Sequence, residues 1–246
     1  MVNKKNKLLI IGSPRSGTQF TTYLLKYLGF KIGHEESDDQ GCVSSLHLTV
    51  PKEFNTVLHQ IREPLQTISS LHKIDWADKE VTSWIAENGY SSIVNNHLRQ
   101  SPNYVARHET WNNMLEKIKD GNGTKKCMKA YLEWNKRCLK VSSWSYRVEA
   151  LDDSSIFSKW LDETKLMNKD TLKLLPDTKE ILWDKACGFS DKYKEMDKIS
   201  KDSYSSGFGP PITWDILERL DLKLANEIKS LTSPYYDYDE NGKLID

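Results

Sequence analysis

Cysteine is scarce in this chain of 246 residues: Cys42, Cys127, Cys138 and Cys187 are the only four, and no two form a C-x-x-C pair. That pattern speaks against a thiolate zinc site and a disulfide framework, and most of the four read as reduced thiols. Neither His34-Glu35 nor His108-Glu109 is followed by the second histidine of an H-E-x-x-H helix, so no metal is expected. An excess of one charge is lacking as well, since Lys+Arg and Asp+Glu both total 35. A protein drawn to a polyanion by bulk electrostatics carries a basic surplus, so nucleic acid is not an expected partner. Long apolar runs are also missing. The basic start is followed by only the four aliphatic residues Leu8 to Ile11 before Gly12. That is too short for a signal-peptide core or a membrane span, and the expectation is a cytoplasmic protein.

What is present is enough for a core: 38% hydrophobic residues, with eight Trp and eleven Tyr. Leu8 to Ile11 is all apolar, as in a central strand covered on both faces. Phe20, Tyr23, Leu24, Tyr27 and Leu28 then recur at helical spacing, and Gly29 is a stop. "FKIG" predicts a brief second strand, and "TVLHQI", residues 56–61, another, followed by a helix from about Leu65 to Ile74. Met128, Tyr131, Leu132, Asn135, Cys138 and Leu139 mark an amphipathic helix, and Tyr146 and Val148 alternate as in a strand. Leu217, Leu220, Leu224, Ile228 and Leu231 predict a final helix. Strands alternating with helices, without repeats or linkers, imply one domain over residues 1–246. Its expected class is α/β, three layers with a central parallel sheet flanked by helices.

The stretch "LLIIGSPRSGTQF", residues 8–20, reads as strand, glycine-bearing turn and helix, the layout of a phosphate-binding loop. Gly12 and Gly17 have the spacing of G-x-x-x-x-G-K-[ST], but Thr18 follows directly and no lysine stands between. Ordinary ATP hydrolysis therefore has poor support. The amides of Ser16, Gly17 and Thr18, the Thr18 hydroxyl and the positive charge of Arg15 still form an expected anion cradle.

"GSPRSGTQF" resembles the 5′-phosphosulfate loop of sulfotransferases that use 3′-phosphoadenosine 5′-phosphosulfate (PAPS). That donor has no γ-phosphate for a lysine to reach. The resemblance puts Pro14, Arg15, Ser16, Gly17, Thr18 and Gln19 around the 5′ end of the donor. Members of that family also have an Arg at a strand end and a Ser eight residues later, both on the 3′-phosphate. Arg62 and Ser70 match that spacing. An arginine fork and a short hydroxyl suit a phosphate, and Lys73 is the nearest further cation on that helix. Downstream, "YRVEAL" and "TWDILERL" are similar to elements of bacterial sulfotransferases, and "KISKDSYSSGFGPP" stands where their nucleotide-closing loop is expected.

In several branches of the family, the tyrosylprotein and carbohydrate enzymes among them, a glutamate past the second strand takes the acceptor proton. In "KIGHEESDD" both Glu35 and Glu36 qualify: alignment on the glycine favours Glu35, and counting from Arg15 favours Glu36. His34 and His47 are the histidine alternatives, whereas His59 reads as structural. The resemblance thus implies transfer of a sulfuryl group from PAPS to a hydroxyl or amine. Arg15 would be among the catalytic residues, 3′,5′-adenosine bisphosphate the product, no metal required, and the acceptor a small molecule, carbohydrate or peptide. The other readings of the same residues are a P-loop nucleoside or small-molecule kinase and an inactive nucleotide-binding scaffold of this fold.

Overall fold

The structure is a computed structural model, and it describes residues 7–27, 29–47, 50–73, 113, 116–118, 123–152, 159, 212–239 and 244–245. In chain order the elements are β1 (Leu8–Ile11), α1 (Thr18–Tyr27), β2 (Ile32–His34), β3 (Gly41–Ser44), β4 (Thr56–Ile61), α2 (Pro64–Lys73), α3 (Gly123–Val141) and β5 (Trp144–Arg147). A 3₁₀ turn (Val148–Asp152), α4 (Trp214–Thr232) and the short strands β6 (Asp237–Tyr238) and β7 (Leu244–Ile245) complete the described set. The first five strands form one sheet in the order β2-β3-β1-β4-β5. Every pairing in it is parallel.

The central strand β1 is buried throughout, and its alternation divides the core into two layers. Leu8 and Ile10 pack with Leu25 and Phe30 around α1, together with Ile32, Val43 and Leu58 of the neighbouring strands. Leu9 and Ile11 face the other way, onto Ile68 and Leu71 of α2, Met128 and Trp134 of α3, and Leu217 and Ile228 of α4. This is a three-layer α/β fold with an all-parallel sheet, as the sequence leads one to expect. Each fully buried Leu or Ile contributes roughly 1.5–3 kcal/mol.

Chain punctuation explains where the helices begin. Glu63 caps α2: its carbonyl accepts from Thr67 N, and its carboxylate accepts from Gln66 N at 2.6 Å. Pro64 follows at the first helical position, where its missing N–H costs nothing. Helix α4 breaks at Asp221 (φ −164°, ψ 94°), whose carboxylate accepts from Leu224 N and pairs with Lys125 Nζ at 2.7 Å.

Three expectations need correction. Strand β3 was not foreseen, yet it lies between β1 and β2; a β-carbon at its Gly41 would lie 1.9 Å from Leu8 O. Val148 does not continue β5 but opens the 3₁₀ turn. Leu220, expected on the inner face of the last helix, is 36% exposed, because the break at Asp221 shifts the helical register beside it. Most of the middle segment, Cys187 and the loop at 198–211 lie outside the described residues. Among the described residues no helix is long and apolar enough to cross a membrane.

Candidate functional site

The chain leaves β1 through α1 toward β2 on one side of the sheet, and leaves β4 through α2 and α3 toward β5 on the other. The carboxyl ends of β1 and β4 are adjacent, so they bound the point where the connections diverge, the usual place for a ligand in an open α/β sheet. The Gly12–Gly17 loop and Arg62 both lie there.

The loop is built from a tight turn. Ser16 N–H donates to Ser13 O at 3.0 Å. Pro14 stands second in that turn and Arg15 third, with φ 67°. This is a type II pattern with arginine in the position that favours glycine. Gly17 (φ +85°) accepts the first helical bond of α1, from Thr21 N at 3.0 Å. It is therefore the N-cap, and being glycine it brings no side chain to the amides of the first turn. At Gly12 a β-carbon would lie 2.4 Å from Ser16 Oγ and 2.9 Å from Gln60 O, so the loop folds back over bare backbone. The Ser13 and Ser16 hydroxyls are buried and have no hydrogen-bond partner among the described residues. Such a group costs about 1–3 kcal/mol when left alone. The expected cradle changes in one respect: the Ser16 amide closes the turn, so the open donors begin at Gly17.

Arg62 and Ser70 meet this loop. Arg15 Nε donates to Ser70 Oγ at 2.8 Å, and Arg62 Nη1 donates to Arg15 O at 3.1 Å. Arg62 Nη2 reaches Gln66 Oε1 at 3.1 Å, and Tyr131 OH donates to the Arg62 carbonyl at 2.8 Å. Among the described residues neither arginine is in an ion pair. Lys73 is exposed near the end of α2. The two motifs, 47 residues apart, thus form one cationic cluster.

On the other side of the loop, His34 Nε2 lies 3.1 Å from Thr18 Oγ1 and 3.7 Å from Glu35 Oε1. Glu35 is the second non-glycine residue with a left-handed φ, 61°. Its Oε1 accepts from Ser45 N (2.9 Å) and Ser45 Oγ (2.8 Å), and its Oε2 from Leu46 N (3.2 Å) and from Ser44 Oγ. Four donors fill the four lone-pair positions of the carboxylate. Glu36 is exposed, and so are Arg15 and Gln19, whereas Pro14 is buried. His34, 34% exposed, is the imidazole that touches the Thr18 hydroxyl, with the Glu35 carboxylate beside it. His47 Nδ1 lies 2.8 Å from Ser44 Oγ, on the far side of the Glu35 cage. His59 is remote from this chemistry: it is buried in β4, against Asn135 Oδ1 and Ser145 Oγ.

Arg15 and Glu35 are the only described non-glycine residues with left-handed backbone. Such a conformation costs about 1–3 kcal/mol and collects at functional sites. That both fall among the candidate catalytic residues is an independent mark on this region.

Three polar residues went unnoticed in the sequence. Glu63 and Glu149 lie near the cluster, and each carboxylate accepts two hydrogen bonds within the protein. Glu63 accepts from Gln66 N and Tyr238 OH, and Glu149 from Glu63 N and Tyr236 OH. Burial, then the carboxylates nearby, push the Tyr236 and Tyr238 phenols up, so they remain neutral donors. Gln60 is buried in β4 and donates to Ser16 O at 2.9 Å. Its signal was a lone amide in an apolar strand two residues before Arg62. Burial also pushes the Cys42 and Cys138 thiols up, which leaves them unreactive. Among the described residues no group of three or more potential metal ligands occurs. Comparison of the chain with family models, with curated proteins and with solved structures finds no match in any of the three.

Proposed function

We propose that the chain is a sulfotransferase acting on a hydroxyl or amine of a small-molecule, carbohydrate or peptide acceptor, with PAPS as donor. The observation that carries this reading is the joining of Arg15, Arg62 and Ser70 at the diverging strand ends. Two guanidinium groups in no ion pair among the described residues, next to a glycine-capped helix start and two buried serine hydroxyls, suit a ligand with two separate phosphates. The nearby carboxylates Glu63 and Glu149 each accept two hydrogen bonds within the protein, one of them from a tyrosine hydroxyl. The buried Cys42 and Cys138 thiols, in no disulfide among the described residues, suit the cytoplasm.

In this reading the amides from Gly17 onward and Arg15 hold the 5′-phosphate and stabilise the charge that grows there. Arg62 and Ser70 hold the 3′-phosphate. PAPS supplies the sulfuryl group, its bond to the 5′-phosphate oxygen breaking as the acceptor oxygen or nitrogen bonds to sulfur. His34 takes the acceptor proton, and Glu35, fixed by its four donors, stabilises the imidazolium so formed. Positioning and electrostatics supply most of the rate, as in phosphoryl transfer.

The test is ligand choice followed by turnover. Stabilisation against heat by 3′,5′-adenosine bisphosphate without magnesium, and label transfer from PAPS in an acceptor screen, are expected. Stabilisation by ATP only with magnesium would replace this reading with the kinase. Bisphosphate binding without transfer to any acceptor class would favour the scaffold.

A further inference from the structure

Gln60 is fully buried in β4, between the core residues Leu58 and Ile61. Its Nε2 donates to Ser16 O at 2.9 Å, and its Oε1 accepts from Tyr146 OH at 3.4 Å. Two residues on, Arg62 donates to Arg15 O at 3.1 Å. One strand end therefore grips two successive carbonyls of the loop. In a trans peptide C=O and N–H point in opposite directions, and no peptide bond among the described residues is cis. With the Arg15 carbonyl drawn to Arg62, the Ser16 N–H must point away, and it does, onto Ser13 O at 3.0 Å. With the Ser16 carbonyl drawn to Gln60, the Gly17 N–H must likewise point away from β4. There it joins the amides at the start of α1, beside the buried hydroxyls of Ser13 and Ser16, which have no partner among the described residues.

We infer that Gln60 is a positioning residue: through the Ser16 carbonyl it sets the Gly17 amide, and so the anion-binding shape of the whole loop, without touching the ligand. Arg62 then has two tasks, loop and ligand, whereas Gln60 has one. The inference rests on the loop being the phosphate site proposed above, but not on which group is transferred.

The separation of tasks gives the test. Full-length wild type, Gln60→Leu, Gln60→Glu, Tyr146→Phe and Arg62→Ala are titrated calorimetrically with AMP and with 3′,5′-adenosine bisphosphate. Amide NMR with inorganic phosphate follows the Gly17 signal. Gln60→Leu should weaken both nucleotides by the same factor, on the order of tenfold to a hundredfold. The preference for the bisphosphate should survive, whereas Arg62→Ala should abolish it. A partly unfolded population would weaken both nucleotides by one common factor too, so circular dichroism and urea unfolding must first show Gln60→Leu folded under the titration conditions. Gln60→Glu carries the test if Gln60→Leu fails to fold: its carboxylate cannot donate at pH 8, and affinity should recover as acidification restores a donor. Tyr146→Phe frees one end of the Gln60 amide and should show a smaller loss of the same kind.

Unchanged affinity in Gln60→Leu, or a loss confined to the bisphosphate, would overturn the inference and leave the nucleotide reading intact. Phosphate binding at Gly17 that is lost in Gln60→Leu, without any preference for the bisphosphate, would uphold the inference and sink the sulfotransferase. Wild type that binds none of the three probes would overturn both.

Discussion

Acid should destabilise this protein through a single buried histidine, and the size of the effect follows from its surroundings. His59 Nε2 lies 2.9 Å from Asn135 Oδ1, and Nδ1 lies 3.2 Å from Ser145 Oγ. The neutral ring satisfies both, with its proton on Nε2. Burial lowers its pKa from the ordinary 6.5 to about 4, the bond to Asn135 opposing only in part. Between those values the unfolded chain binds a proton at His59 that the folded chain refuses. Stability is therefore full above about pH 6.5 and falls as the pH drops toward about 4. At 1.36 kcal/mol per pH unit this window amounts to about 3 kcal/mol, a large part of a typical folding free energy. The assay is urea unfolding from pH 7.5 to 4.5, wild type against His59→Gln, with linear extrapolation to water. Glutamine keeps a donor for Asn135 but does not titrate. Carboxylates that titrate at the acid end act on both proteins and cancel in the difference. The wild type should lose up to ~1.4 kcal/mol per pH unit more than the variant through the middle of the window. Parallel curves would refute the claim that His59 stays neutral in the core.

Other predictions concern the site. Arg15→Gly should raise stability by about 1 kcal/mol, because glycine accepts the left-handed backbone at φ 67° without strain. The same change should weaken 3′,5′-adenosine bisphosphate at least tenfold, so urea midpoint and affinity should move in opposite senses. His34→Gln should lower turnover with PAPS by ~10²–10⁴-fold and leave bisphosphate affinity nearly unchanged. An equal loss in both would assign His34 to binding instead.

The parts of the fold that were legible were those with strong local signals. The apolar run at Leu8–Ile11, the glycines flanking the loop, and Pro64 after "TVLHQI" placed β1, α1, β4 and α2 to within a residue or two. Strand β3 was not legible, because "GCVS" shows no alternation and follows a polar turn. Its partners β1 and β2 precede it in the chain, so only tertiary pairing shows its place between them. The kink in α4 was hidden for a related reason: Asp221 reads as a solvent-facing residue unless its bonds to Leu224 N and Lys125 are known. In the site, the order of Arg15, Arg62 and Ser70 was readable from spacing, but Glu35 and Glu36 were equivalent on paper. Their difference lies in a cage from Ser44, Ser45 and Leu46, side chains and amides that a linear motif does not include.

The central claim is that Arg62 and Ser70 form a 3′-phosphate site beside a 5′-phosphate loop. Calorimetric titration of wild type and Arg62→Ala with 3′,5′-adenosine bisphosphate and AMP, in the absence of magnesium, tests it most directly. The account predicts that wild type binds the bisphosphate tightly and AMP much more weakly, and that Arg62→Ala, still folded, loses the difference. Equal affinity of wild type for the two nucleotides would contradict it, and so would an Arg62→Ala variant that keeps the preference.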